Sequence, residues 1–531
     1  MERTDTLNII VSLFAATLAS LCVDDAVAAD VPFSARSTVL VLNEDNDHYF
    51  KLDRKFMDIA HLEAYVDRLA EGGNVTHVFF CPTGQRASFD SKVWEPIWKG
   101  LEEYPREKIW YLFRQWSENA KLLNDNGIDP YAVWIARCRK NGISPWLAPR
   151  MNDCHDGAAD LSKPYRSITL WRERKDLHCY PEWDKPDWGR HQFDYSHAEV
   201  RESALAMLRE LFERYDFDGI ELDGGIWFPK EKARASIPVM NAFIREVDAM
   251  RREWAGRRGH PILIGAKVSH SPESCRNQGC DVAKWVREGM VDWVICSNGG
   301  GNPIFDVPVD AWRKEFGERK DAKVICGSNY SYTPSHGMKR QSMTSAMYRG
   351  WADAMLTSGA DGLYLFNLQY HPVEQAEVVR SGLAPASLLR HERFYHALGG
   401  MPVDMPGRGR IRFKAGSAAT NGISRLVLAF KGDVPPIDAI AVSVNGCSPR
   451  GISSGKYVSW WREEIDPAER FLPELYSLEF ELAEGTVKLG ANYAEISSEA
   501  ECHIVAAGIS SAPSSQQEKS ETPDPAGAVG R

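Results

Sequence analysis

The chain has 531 residues, of which 44% are hydrophobic, 26% charged and 11% aromatic, with a formal net charge of -10. That length exceeds one compact core and predicts a large domain with a smaller one, while the balance of apolar and charged residues excludes a polytopic membrane protein and a mainly disordered chain. The acidic balance excludes a nucleic-acid groove binder, which needs clustered Lys and Arg against phosphates, and leaves small molecules, saccharides or other proteins as partners.

In chain order, Leu7 to Val23 is an apolar run too short for a comfortable membrane span, followed by small residues at Ala26, Ala28 and Ala29. It reads as a secretory signal peptide over residues 1–29, cleaved near Asp30, which leaves no membrane span and predicts a secreted or periplasmic protein. An uncleaved anchor is the alternative, because Glu2 and Asp5 offset Arg3. Cys22 falls in this segment. Cys81, Cys296 and Cys326 lie in apolar strand-like runs and read as core thiols, whereas Cys154 with Cys179 and Cys275 with Cys280 are disulfide candidates in an exported protein.

From Val39 onward, short β-branched apolar runs alternate with amphipathic stretches, the pattern of βα units. The strand-like runs are Val39 to Asn43, Val75 to Pro82, Ile143 to Asn152, Gly219 to Gly224, Ile262 to Ser269, Trp293 to Ser297, Lys323 to Asn329 and Gly362 to Leu368. Helices are predicted between them over Leu62 to Leu69, Tyr131 to Lys140, Glu199 to Tyr215, Val239 to Trp254, Val282 to Glu288 and Ser345 to Thr357. Eight such units predict a (β/α)8 TIM barrel over residues 30–400. Phe89 to Asn126 and Asp153 to Tyr195 are long, aromatic insertions after the second and third strands, where a barrel builds its active site. Trp227, Trp146 and Trp171 are candidate faces for stacking on sugar rings, although core packing claims most of the aromatic residues.

After Arg390 the texture becomes short alternating runs, Ile411 to Phe413, Arg425 to Phe430, Ile440 to Val444, Ser477 to Leu482 and Thr486 to Leu489. They predict a small all-β, sandwich-like domain over residues 401–509, followed by a disordered tail over 510–531.

The run Asp218-Gly219-Ile220-Glu221-Leu222-Asp223-Gly224-Gly225 carries the chemistry. Alternation puts Glu221 and Asp223 on one face of a strand, and in a closed barrel that face is the lumen. Two close carboxyls in a buried setting raise at least one pKa, which prepares a nucleophile or a proton donor. The structural alternative is a salt bridge from Glu221 to Lys267 or Arg150, with Asp223 capping a loop. Other strand ends add Arg150, Asn152, Asp153, His155 and Asp156 after the third strand, Lys267 and His270 with Glu273 after the fifth, Asn298 after the sixth, Asn329 and Tyr330 at the seventh, and Asn367 with Gln369 at the eighth. The first strand runs into Asn43-Glu44-Asp45-Asn46-Asp47-His48. The Asp153-Cys154-His155-Asp156 group has ligand types for a cation but no matching His elsewhere, and no His-x-His follows the first strand, so no metal is expected. Neither a G-x-G-x-x-G after a strand nor a P-loop is present, so no cofactor is expected.

The string Asp218 to Pro229, the later Ala283 to Val294 and the closing Ala360 to Phe366 resemble the glycosyl-hydrolase-like TIM barrels, in particular glycosyl-hydrolase-like family ten. The resemblance covers most of the barrel. It implies an exported enzyme acting on glycosidic bonds, with the end of the fourth strand in its active site. Asp218 to Asp223 also resembles the chitinase signature, whose proton-donating Glu would fall at Gly225, a departure that argues against substrate-assisted chitinase chemistry.

The expected activity is hydrolysis of a polysaccharide or oligosaccharide by paired carboxyls. Asp223 serves as nucleophile or base, and Glu221 or Glu273 is the second acid. Arg150, Asn152, Asp153, His155, Trp227, Lys267, His270, Asn298 and Asn367 are the expected substrate-binding residues. The alternative is a saccharide-binding protein on a barrel that has lost catalysis, suggested by Gly225 and by the lack of an acid ending the seventh strand. Sequence leaves the sugar, the linkage, the stereochemical outcome and the oligomeric state open.

Overall fold

The computed structural model describes residues 38–45, 47–103, 111–155, 166–182, 191–225, 227–297, 302–335, 338, 340–370, 372–398, 401–417, 422–432, 434–457 and 475–513. The apolar run Leu7 to Val23, Asp156, Asn298 and the tail from 514 lie outside them. No helix among the described residues is long and apolar enough to cross a membrane.

Eight parallel strands close into a barrel: β1 (Val39–Glu44), β2 (His77–Phe80), β3 (Ser144–Leu147), β4 (Gly219–Asp223), β5 (Leu263–Val268), β6 (Trp293–Cys296), β7 (Lys323–Asn329) and β8 (Gly362–Phe366). Every predicted strand run contains its observed strand or falls one residue short of it. The outer helices follow from local signals. Asp129 accepts from the backbone N–H groups of Tyr131 and Ala132 to start the helix Pro130–Lys140, and Thr344 caps Ser345–Thr357 through Met347 N–H. Gly259, at φ 75°, ends the long helix Ile237–Arg258 in the left-handed conformation that a Cβ would strain.

Three aromatic rings fill the lower lumen. Trp146 stacks on Phe79 with ring centroids 4.6 Å apart and lies 4.7 Å from Trp293. Glycines on the next two strands make that possible, since a Cβ on Gly219 would sit 2.3 Å from the Trp146 indole and one on Gly265 would sit 3.2 Å from it. Trp146 and Trp171 are fully buried and Trp227 nearly so, so the stacking role expected of them gives way to core packing. The insertion after β2 is also not a plain loop. It contains the helix Tyr111–Asp125, where Trp116, Ala120 and Leu123 recur on one face and are buried.

The C-terminal region is one antiparallel sheet of β9 (Arg393–His396), β10 (Val403–Ala415), β11 (Gly422–Phe430), β12 (Ile440–Val444), β13 (Gly451–Tyr457), β14 (Leu475–Glu481) and β15 (Gly490–Pro513). The first half of β15 pairs with β10 and β12, its second half pairs with β9 and β11, and residues from both halves share one core. The sheet therefore takes in Arg393–His396, and Ser510 to Pro513 are paired strand rather than tail. Thr486 to Leu489 is a turn, held by Asn492, whose side chain accepts from Lys488 N–H and donates to the Lys488 and Gly490 carbonyls. Ion pairs from Arg412 and Lys414 to Asp306, 2.8 and 2.6 Å, tie this sheet to the barrel. The ten cysteines among the described residues are free, so neither Cys154 with Cys179 nor Cys275 with Cys280 is bridged.

Candidate active site

On β4, Ile220 and Leu222 join the core shared with the outer helices, which turns Glu221 and Asp223 into the lumen. Asp223 is the last residue of the strand, so its carboxyl stands at the C-terminal mouth. Lys267 is its direct cross-strand neighbour on β5, and the ammonium lies 2.8 Å from Asp223 Oδ1. The same ammonium sits 3.9 Å from the centre of the Phe366 ring on β8, a cation–π contact in a site where Lys267 is 5% exposed.

Glu221 is one step deeper and fully buried. Tyr364, from β8 across the lumen, donates its hydroxyl to Glu221 Oε1 at 3.2 Å, while Oε2 has no hydrogen-bond partner among the described residues. Burial pushes the Glu221 carboxyl up to about 8, and the neighbouring Asp223 acts in the same direction; Lys267 and the Tyr364 hydrogen bond offset only part of this. The alternative, a salt bridge from Glu221 to Lys267 or Arg150, is therefore not what forms. Lys267 is taken by Asp223.

Arg150 follows β3 and is committed elsewhere. It donates through Nη2 to Asp45 at 2.7 Å and through Nη1 to Asp153 at 2.9 Å. Asp153 also accepts from the backbone and the ring Nδ1 of His155. Burial raises the Asp153 carboxyl, but His155, Arg150 and Arg166 outweigh it and hold the group well below the usual carboxylate range. This network adjoins Asp223 through the backbone, where Met151 N–H donates to the Asp223 carbonyl at 3.0 Å. Arg150, Asp153, His155, Lys267, Glu221 and Asp223 are thus gathered at one end of the barrel.

The remaining candidates divide differently. Asn152 uses its carboxamide on the backbone of Phe193, donating at 2.8 Å and accepting at 2.9 Å, which anchors the insertion after β3. Trp227 packs edge-on against Tyr195 and beneath the Gly224 turn, where a Cβ would come within 2.9 Å of its indole. His270 is half-buried and its carbonyl accepts from Trp312. Asn367 is half-buried at φ 58°, with its side chain accepting from Gln369. Glu273 stands apart from the carboxyl pair. It is exposed on the short helix Pro272–Asn277, its ion pairs with Arg234 at 2.6 Å and Arg276 at 3.0 Å holding its carboxyl below the ordinary value. Such a group is a poor proton donor. Tyr364 and Phe366 were missed as site residues, although the alternation Gly362-Leu363-Tyr364-Leu365-Phe366 already places both on the lumen face.

No family model and no curated protein matches the chain. Among solved structures it is similar to the PgaB (BpsB) glycoside hydrolase domain from Bordetella bronchiseptica, at 10% identity over 66% of this chain and 99% of that one, with TM-score 0.40. It is also similar to an alpha-amylase from Geobacillus thermoleovorans, at 11% identity over 89% and 100% of the two chains, with TM-score 0.36. Chitinase ChiA74 from Bacillus thuringiensis is similar at 9% identity over 89% and 100%, with TM-score 0.35. The barrel itself stands on its closed strand ladder.

Proposed function

We propose that the chain hydrolyses glycosidic bonds of a polysaccharide or oligosaccharide at the C-terminal mouth of the barrel, outside the cytoplasm. One observation carries the reading. Two carboxyls share the lumen face of β4, and their surroundings differ, with Asp223 in an ion pair and Glu221 buried with a pKa near 8. Pairs whose environments separate their protonation states divide the roles of acid and base between them. Asp223, at the mouth, is the nucleophile or base. Glu221 is the acid, holding at neutral pH the proton that a departing sugar oxygen requires. Arg150, Asp153 and His155 form one hydrogen-bonded network at the same mouth, beside the place for the sugar. Export rests on the Leu7 to Val23 run.

Saccharide binding without turnover is the second reading, and Gly225 favours it. Position 225, where the chitinase signature has its proton donor, carries no side chain and is covered by the Gln192 carboxamide, whose Nε2 would lie 2.6 Å from a Cβ there, and Glu221 itself is sealed from solvent. Reducing-end release over a panel of polysaccharides separates the two. The wild type is expected to release sugar on at least one, and Asp223→Asn to lower turnover by about a thousandfold or more with the fold intact. Binding with no release from any of them favours the second reading.

A further inference from the structure

The lumen mouth holds two carboxyls on β4 and an ammonium in contact with the outer one. Lys267 lies 2.8 Å from Asp223, while Glu221 receives only the Tyr364 hydroxyl. Arg150, the other cation beside Asp223, has its guanidinium divided between Asp45 and Asp153. Among the described residues, Asp45 and Asp153 are paired with Arg150, and the other lumen groups beside the β4 carboxyls are uncharged. Burial keeps the Tyr364 phenol and the Cys81 thiol well above their ordinary values, so both stay protonated, and Ile295 and Ile325 line the lumen from β6 and β7. The ammonium beside the β4 carboxyls is thus spent on Asp223, and Glu221 is left with a neutral donor.

We propose that Lys267 is a positioning residue that decides which carboxyl of the pair carries the proton, holding Asp223 as the anion so that the retained proton resides on Glu221. The geometry sets this assignment. Lys267 is fixed between the Asp223 carboxylate and the Phe366 ring, 3.9 Å from the ring centre, which directs the ammonium at the outer carboxyl. The same confinement removes it from the sugar-binding role expected of it. Its catalytic meaning rests on the hydrolase reading, because only a protonated inner acid beside an ionised outer carboxylate performs that chemistry.

Carboxyl 13C NMR of the Asp- and Glu-labelled full chain tests the proposal without needing a substrate. The wild type at neutral pH is expected to show one buried carboxylic acid that disappears in E221Q. K267M is expected to gain a second acid, which disappears in K267M/D223N, and K267R to keep the wild-type spectrum. An Asp223 that stays ionised over the same pH range in K267M, or that is protonated in the wild type or in K267R, overturns the proposal. If K267M does not fold, K267R decides by the same criterion. On a glycoside that is turned over, K267M is expected to move the acidic limb of kcat/KM upward by about one to three pH units, with K267R restoring it. The expected spectra with no turnover on any glycoside contradict the hydrolase reading alone.

Discussion

At the scale of single residues, the site is a problem of unequal solvation. Glu221 and Asp223 are two residues apart on one face, yet only Asp223 has a counter-ion, so the cost of burying Glu221 is met by keeping its proton. This has a consequence for stability. Unfolded, the Glu221 carboxyl titrates near its ordinary 4.5; folded, it titrates near 8, so the native state binds the proton more tightly. Below about pH 4.5 both states are protonated and there is no differential. Between 4.5 and 8 stability falls as pH rises, and above 8 it levels off. Glu221→Gln removes that titration. Urea unfolding across this range is expected to show a flatter pH slope for the variant, with its advantage over wild type growing toward pH 8. Parallel slopes for the two proteins would contradict the burial account.

At the scale of elements, the barrel was legible because βα alternation is a local pattern, and each of the eight predicted runs matched a strand. Glu221 and Asp223 were legible for the same reason, since strand parity places both on one face. Partner choice was not. Lys267 is expected to bind sugar hydroxyls, or in the structural alternative to pair with Glu221, but the β4–β5 register sets it opposite Asp223, and register belongs to the folded sheet. Glu273 is a candidate second acid by its place after the fifth strand, but a capping box at Ser271 opens a short helix that presents it to solvent and two arginines. Trp146 is expected as a stacking face because the hollow that receives its ring is built by other strands. Gly219 and Gly265 hollow the lumen to receive it. Gly219→Ala is accordingly expected to destabilise the chain by about 1 to 3 kcal/mol, measured by urea unfolding, and to cost less in a Trp146→Leu background. Equal costs in both backgrounds would show that the indole is not what the methyl meets.

At the scale of the whole molecule, the barrel and the C-terminal sheet meet across the helix Ser345–Thr357. A Cβ on Gly350 of that helix would lie 2.2 Å from the Phe394 carbonyl oxygen, so the helix and β9 are in backbone contact. Asp353, on the same helix and fully buried, accepts from the Tyr395 hydroxyl. The two parts are expected to unfold in a single calorimetric transition. Tyr395→Phe is expected to lower stability by about 1 to 3 kcal/mol, because it leaves a buried carboxyl short of a donor. Two independent transitions in the wild type would contradict this coupling.

The carboxyl pair is the centre of the functional account, and the pH dependence of kcat/KM on a glycoside that the protein turns over tests it most directly. With Glu221 as the acid, activity is predicted to persist through neutrality and to fall above about pH 8. A profile already lost through the ordinary carboxyl range near 4.5 would contradict Glu221 as the proton donor.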